Sequence, residues 1–259
     1  MPEQTPNILI GTPVANGVVT HDYFQFMVVL TMHFQRLGWG FRVVTQPDGL
    51  VTRSRNAFAS TVVRNEEYTH LLMFDADVTA SPEGIERIIR SGKDFVGCVV
   101  PFRKTHWDRV EDALSALPDV TIDDVRAVAN GYAYWPEKGA RPVDGFIEAH
   151  AIGSAIMLIS REALVAISES ELVDFATAGL PASDGEHSGW TFFDPYVDEN
   201  GVYLSEDYAL CDRWRKLGGA IWADLETTTR HIGPVVVEGD IAQSITTATR
   251  LVRARKQAS

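Results

Sequence analysis

Two cysteines in 259 residues leave this chain no disulfide framework to rest on. Cys98 and Cys211 each sit inside an apolar or helical pattern, which reads as two buried thiols in a reducing compartment. No apolar run approaches the length that spans a bilayer. The opening M-P-E-Q-T-P has no basic segment followed by an apolar one, so no signal peptide is expected and the implied location is cytoplasmic. Positive charge is scarce: 23 Lys and Arg against 35 Asp and Glu give a formal net charge of −12. That deficit argues against a nucleic acid as main partner, because phosphate backbones are bound through Lys and Arg. It still permits a nucleotide held by a metal and one or two arginines. Internal repeats and low-complexity tracts are absent.

What is present is ordinary for a globular α/β chain, with 45% hydrophobic and 22% charged residues and enough length for a substantial core. Short apolar runs predict strands at Asn7–Gly11, Phe41–Thr45, Leu71–Phe74 and Phe95–Val100. Helical patterns fall between them, at about Tyr23–Leu37, Val51–Asn65 and Pro82–Ser91. This alternation predicts a mostly parallel, Rossmann-like sheet flanked by helices. From Pro101 to Arg141 the pattern loosens. Phe146–Ser160 gives two strands hinged at Gly153-Ser154, and Arg161–Ser168 a helix. Asp174–Leu204 is long and irregular, which marks a functional or disordered loop. Ser205–Lys216 reads as a helix capped by Ser205, Ile221–Ala223 and Pro234–Val237 as short strands, and Asp240 to about Arg255 as an amphipathic last helix.

The stretch Thr69–Pro82, T-H-L-L-M-F-D-A-D-V-T-A-S-P, organises the rest. A buried strand ends in Asp75 and Asp77, and residues two apart on an extended chain face one spot. That places two acids at the carboxyl edge of the sheet, where open α/β folds hold ligands. Paired carboxylates need a cation or a proton between them, and oxygen ligands favour Mg2+ or Mn2+. A D-x-D is short, however, and an accidental pair of loop acids reads the same way. The longer D-x-D-x-T, Asp75 to Thr79, also opens haloacid-dehalogenase-like phosphatases, where the first acid is a nucleophile. Two strand–helix units precede it here, and no later lysine and acidic pair completes that pattern.

Other candidates carry bland and functional readings together. Glu206 and Asp207 complement the positive start of a helix, and an acid fixed there beneath a cleft can also act as general base. Arg53, Arg55 and Asn56, in R-S-R-N, are the exposed side of a helix or the contacts of a diphosphate or base. His231 is a core or surface histidine unless partnered. Trp190, Phe192, Phe193 and Tyr196 are core or a platform for an acceptor ring.

Together these pieces resemble the nucleotide-sugar-dependent glycosyltransferases of the GT-A fold, nearest the family-two-like group of bacteria and phages. The matching segments are R-S-R-N, H-L-L-M-F-D-A-D-V-T-A-S-P, V-P-F-R-K, A-I-G-S-A-I-M-L-I-S-R-E, S-E-D-Y-A-L-C-D-R-W-R-K-L-G-G and T-R-H-I-G, in family order over roughly residues 5 to 238. The resemblance implies one domain over 1–259, with a nucleotide-binding half at 5–100, an acceptor and catalytic half at 101–238 and a terminal helix at 239–259. It implies that Asp77, Asp75 and His231 hold Mn2+ or Mg2+ on the diphosphate of a UDP-sugar or GDP-sugar. Thr12, Pro13 and Arg55 would line the nucleotide pocket, and Gly153 and Ser154 would lie near the transferred sugar. Asp207 would deprotonate the acceptor hydroxyl and invert the anomeric centre, with Glu206 beside it. The acceptor implied is a small molecule, glycan or peptide. A nucleotidyltransferase is disfavoured because the first loop, G-T-P-V-A-N-G, lacks the glycine- and arginine-rich signature that holds a triphosphate. A binding module without turnover is the non-enzymatic alternative.

Overall fold

In the computed structural model, residues 5–182, 184–234, 241–243, 245 and 250 are described. The first strand, β1 (Asn7–Pro13), is followed by α1 (His21–Leu37), β2 (Gly40–Gln46), α2 (Val51–Arg64), β3 (His70–Phe74), β4 (Val78–Thr79), α3 (Pro82–Arg90) and β5 (Phe95–Cys98). The loosely patterned stretch resolves into β6 (Pro101–Thr105), α4 (Trp107–Ala116), α5 (Ile122–Val128), β7 (Asn130–Tyr132) and β8 (Tyr134–Pro136). Next come β9 (Phe146–Ile152), β10 (Ile156–Ser160) and α6 (Arg161–Ser168). Four two-residue strands, β11 (Phe175–Ala176), β12 (Gly189–Trp190), β13 (Tyr196–Val197) and β14 (Tyr203–Leu204), pair within the irregular loop before α7 (Glu206–Lys216), β15 (Ile221–Asp224) and β16 (Arg230–His231). The strand expected at Pro234–Val237 and most of the expected terminal helix lie outside the described residues.

One sheet of eight strands, in the order β2-β1-β3-β10-β5-β15-β9-β8, takes members from both halves of the chain. Pairs β1–β2, β1–β3 and β5–β15 are parallel, while β10 runs antiparallel to both its neighbours and β9 runs antiparallel to β15 and β8. Six strands therefore share one direction and two oppose it. The fold is α/β, with a large, mainly parallel central sheet flanked by helices, as the alternation predicted.

The alternation along β3 sets the two faces. Leu71 and Met73 join one core with Phe58 and Val62 of α2, Leu164 and Ile167 of α6 and Leu210 of α7. Leu72 and Phe74 join the other, with Phe26, Leu30 and Phe34 of α1 and Ile85 and Ile88 of α3. Complete burial of side chains of this size contributes about 1.5–3 kcal/mol each, so β3 and the acids at its tip are firmly held. Local chemistry fixes the neighbouring helix starts. Thr20 caps α1 by accepting from the Tyr23 amide, and Ser81 caps α3 by accepting from Gly84, with Pro82 in the first turn. Among the described residues no helix is long and apolar enough to cross a membrane.

The 170–195 loop is pinned from below. Arg213 of α7 donates to the carbonyls of Leu172 (3.0 Å), Phe192 (2.9 Å) and Asp194 (2.9 Å). Asn56 donates to Asp194 Oδ1 at 2.7 Å and accepts from the Phe193 amide at 2.7 Å. Phe192 and Phe193 are fully buried, Trp190 packs on Phe175 and Phe192, and the Tyr196 hydroxyl donates to Asp212. Phe192 and Phe193 are therefore core, while Trp190 and Tyr196 are half-buried at its margin. Replacing Arg213 by Ala strands three carbonyls and is expected to cost about 3 kcal/mol of unfolding free energy. Arg213→Lys should recover little of it, because one ammonium cannot match the planar fork; denaturant titration of the two variants checks this.

Candidate active site

The chain does not stay extended through the two acids. It turns at Ala76 and Asp77, with the Val78 amide donating to the Asp75 carbonyl at 3.3 Å. Both acids line one cavity of about 380 Å3 together with Ala15, Asn16, Thr20 and Arg55. Their carboxylates nonetheless part, so the expectation that alternation points both at one spot is corrected: a turn, not a strand, separates them.

Asp75 goes to Arg55. That arginine, 4% exposed, donates through Nη2 to Asp75 Oδ1 at 3.0 Å and through Nη1 to Glu206 Oε1 at 2.6 Å. Its two partners come from the tip of β3 and the first turn of α7, so one guanidinium ties the halves of the site together. Glu206 is thereby a partner of Arg55 and not a free base.

Asp77 goes the other way, to His231 and Arg103. The short antiparallel pair β4–β16 sets Arg230 opposite Thr79 and His231 opposite Val78, and the Ile232 amide donates to the Asp77 carbonyl at 2.7 Å. His231 Nε2 then lies 3.5 Å from Asp77 Oδ1. Its Nδ1 is 2.8 Å from the Pro101 carbonyl, which can only accept, so Nδ1 carries the proton and Nε2 is the nitrogen turned to Asp77. Arg103 Nη1 donates to the second oxygen, Asp77 Oδ2, at 2.8 Å.

Among the described residues no three His, Cys, Asp or Glu side chains converge as a metal cluster. A closed protein cage is therefore a poor fit. Two donors, a carboxylate oxygen and an oriented imidazole nitrogen on facing strands, fit a Mg2+ or Mn2+ that completes its sphere with water and substrate phosphates. Asp75, committed to Arg55, stands behind this pair.

Asp207 sits in the first turn of α7, next to Glu206. Ser205 occupies the N-cap position but does not cap; its hydroxyl donates to Asp207 Oδ1, which also accepts from the Tyr208 amide at 2.9 Å. The other oxygen, Oδ2, faces Gly153, 3.7 Å from where a Cβ would stand, and that Cβ would also meet the Ala133 methyl at 2.8 Å. The Ala133 methyl, between β7 and β8, crowds that position and favours glycine, whereas Asp207 Oδ2 is in ordinary contact. Ser154 beside it is buried. Burial raises the Asp207 pKa above its ordinary value, with the charge of Glu206 adding and the Ser205 hydroxyl and Arg55 opposing.

The remaining expected residues are placed as follows. Thr12 and Pro13 are buried, with Thr12 Oγ1 2.5 Å from the Tyr23 hydroxyl, and the loop after them lines the cavity instead. Thr20 secures that loop, donating through amide and hydroxyl to the Ala76 carbonyl at 3.0 and 3.1 Å. Arg53 turns away to the Gly179 carbonyl (3.0 Å) and Asp48 (3.5 Å), and Asn56 pins the 170–195 loop. Sequence reasoning missed Trp135, half-exposed, whose ring lies 4.3 Å from His150 and 6.5 Å from Tyr208, next in sequence to the base. V-P-F-R-K contained Arg103, but nothing in its spacing pointed at Asp77.

No protein-family model and no curated protein matches the chain. Solved structures are similar in outline. A protein from STIV is 13% identical, with 88% of this chain and 86% of that one covered at a TM-score of 0.45. An inositol-1-phosphate CTP transferase from T. maritima is 9% identical, with 94% and 96% covered at 0.40. A glycosyltransferase involved in the glycosylation of the major capsid of PBCV-1 is 10% identical, with 61% and 62% covered at 0.32. The similar structures thus include glycosyltransferase and nucleotidyltransferase folds, at a likeness too slight to say what this chain does.

The raised Asp207 pKa has a stability consequence with a definite sign. The folded chain holds this proton more tightly than the unfolded one, so ionisation costs stability that is lost as pH rises from the ordinary aspartate value through the folded one. Asp207→Asn keeps an oxygen for Ser205 and Tyr208 and removes the buried charge. The variant should melt above wild type at neutral pH, with the gap closing as pH falls into the acidic range; thermal melts across pH check it.

Proposed function

We propose that the chain is a metal-dependent glycosyltransferase of the GT-A type that moves a sugar from a UDP-sugar or GDP-sugar to an acceptor hydroxyl. The observation that carries this reading is the pairing of His231 with Asp77 by the β4–β16 bridge, with Nδ1 fixed on Pro101 and Nε2 turned to the carboxylate. Residues so far apart in sequence meet where an α/β sheet binds ligands.

Each group then has a task. Asp77 and His231 hold the cation, which when bound neutralises charge on the departing nucleoside diphosphate. Arg55 keeps Asp75 and Glu206 at fixed positions behind it. The loop from Ala15 to Thr20, tied to Ala76, walls the cavity for the nucleoside. Gly153 and Ser154, beside Asp207, lie near the transferred sugar. Asp207 Oδ2 accepts the acceptor's hydroxyl proton while that oxygen bonds the anomeric carbon and the carbon–oxygen bond to the diphosphate breaks. A base opposite the leaving group inverts the anomeric centre. Its raised pKa makes it a stronger base than an exposed aspartate. A glycan, small-molecule or peptide acceptor would approach past Trp135 and Tyr208.

The phosphatase alternative needs Asp75 free to attack phosphorus, and Arg55 holds one of its oxygens at 3.0 Å. A phosphoaspartate trapped at Asp75 would overturn the glycosyltransferase reading.

Thermal denaturation with Mn2+ or Mg2+ and a panel of UDP, GDP, dTDP, CDP and inorganic phosphate tests the donor class. A ligand at about 100 times its Kd adds about 2.7 kcal/mol to the native state. One nucleoside diphosphate should raise the melting temperature only with the cation, and Asp77→Ala should abolish the shift. Asp207→Asn should keep that shift and lose about 10²–10⁴-fold in transfer rate. Wild-type activity should fall as pH drops through a value above the ordinary aspartate pKa. A full-rate Asp207→Asn enzyme with unchanged product sinks the base assignment.

A further inference from the structure

A chain with a net charge of −12 nonetheless has, among the described residues, a cavity whose formally charged side chains are all basic. It measures about 520 Å3, and its lining includes Arg103, Lys104 and His231 but no Asp or Glu. It lies along β6, on the side of Asp77 away from the nucleotide-side cavity, and His231 and Arg103 connect the two. A local excess of positive charge on an acidic protein marks a place for an anion.

Arg103 has the geometry to serve that anion. Its guanidinium pairs with Asp77 Oδ2 at 2.8 Å although its side chain is 49% exposed. Its stem lies over Gly233: a Cβ there would come within 2.4 Å of Arg103 Cδ and 3.2 Å of Nη1. The glycine of T-R-H-I-G is thus what lets the arginine reach the acid. The pair competes directly with the proposed cation, because Asp77 carries one negative charge and both partners need it. A divalent ion bound through Oδ1 and His231 stands a few ångströms from the guanidinium and repels it. Arg103 then requires another anion, and a diphosphate arriving with the cation supplies one whose oxygens match the planar fork.

Resting on the glycosyltransferase reading, we propose that Arg103 is a donor-binding residue. It neutralises Asp77 in the free protein and transfers its fork to the donor's diphosphate when cation and donor bind, so the leaving group is held between the cation and the β6 arm.

Calorimetry on the full chain tests this with Arg103→Ala and Arg103→Lys, each first checked for wild-type melting temperature. The probes are Mn2+ alone, then UDP, GDP, inorganic diphosphate and uridine, each with Mn2+. Arg103→Ala should weaken the preferred nucleoside diphosphate and inorganic diphosphate by about 10- to 100-fold. Uridine should be unaffected, Mn2+ alone should bind as well as or better than in wild type because Asp77 is released, and Arg103→Lys should recover part of the loss. Unchanged diphosphate affinity in Arg103→Ala leaves Arg103 a surface ion pair and overturns the inference. Loss of Mn2+ affinity also overturns it, by making Arg103 a support for Asp77. Wild-type protein that binds no nucleoside diphosphate overturns this inference and the reading beneath it together, whereas wild-type binding with an indifferent Arg103→Ala overturns the inference alone.

Discussion

The buried ion triad of Asp75, Arg55 and Glu206 is the constraint on which the site depends. A guanidinium 4% exposed must be paired, since an uncompensated buried charge costs several kcal/mol. Its partners come from the tip of β3 and the start of α7, so Nη1 and Nη2 are both paired only when both elements are in place. Everything chemical hangs from those two points. Asp77 follows Asp75 by one turn, and Asp207 follows Glu206 directly. The distance between Asp77, the proposed cation ligand, and Asp207, the proposed base, is therefore set by an interaction that itself touches neither.

Charge is divided with some economy across this edge. On one side carboxylates outnumber cations, and Asp75 and Glu206 share Arg55. On the other, Asp77 is shared by His231 and Arg103, and the neighbouring cavity is lined by Arg103 and Lys104 with no carboxylate. A nucleoside diphosphate with its cation is mixed in the same way, neutral at one end and strongly anionic at the other. Asp207 belongs to neither group; its hydrogen bonds come from Ser205 and its own helix, and burial tunes it.

Much of the fold was legible. Apolar runs with helical patterns between them placed β1, β2, β3, β5, α1, α2, α3 and α6 to within a residue or two; β1, β3 and β5 are buried on both faces, whereas the largely exposed edge strand β2 showed only as a short apolar run. The 101–141 stretch was not legible, since β6, β7 and β8 carry few buried residues and their pairing partners are distant or mutual. In the site, Asp77 and His231 were joined by the family resemblance, and the two lie together; Gly153 and Asp207 were named for separate roles, and their proximity came only from the fold. Composition could not have found them, as each pair depends on tertiary contact. Where reasoning ran on local geometry it failed: alternation across Asp75-Ala76-Asp77 assumed an extended chain, and the chain turns. Asn56 and the Trp190–Tyr196 aromatics read equally well as ligand contacts or as core, and only packing could decide. Arg55 read as a phosphate ligand; its two carboxylate partners lie 20 and 151 residues away in sequence.

The central claim is that a divalent cation and a nucleoside diphosphate meet between Asp77 and His231. Anomalous X-ray scattering from crystals grown with Mn2+ and the preferred nucleoside diphosphate tests it most directly. The account predicts one strong anomalous peak within bonding distance of Asp77 Oδ1 and His231 Nε2 and of the diphosphate oxygens. A peak held by Asp75 alone, or nucleotide bound with no metal at Asp77, would contradict it.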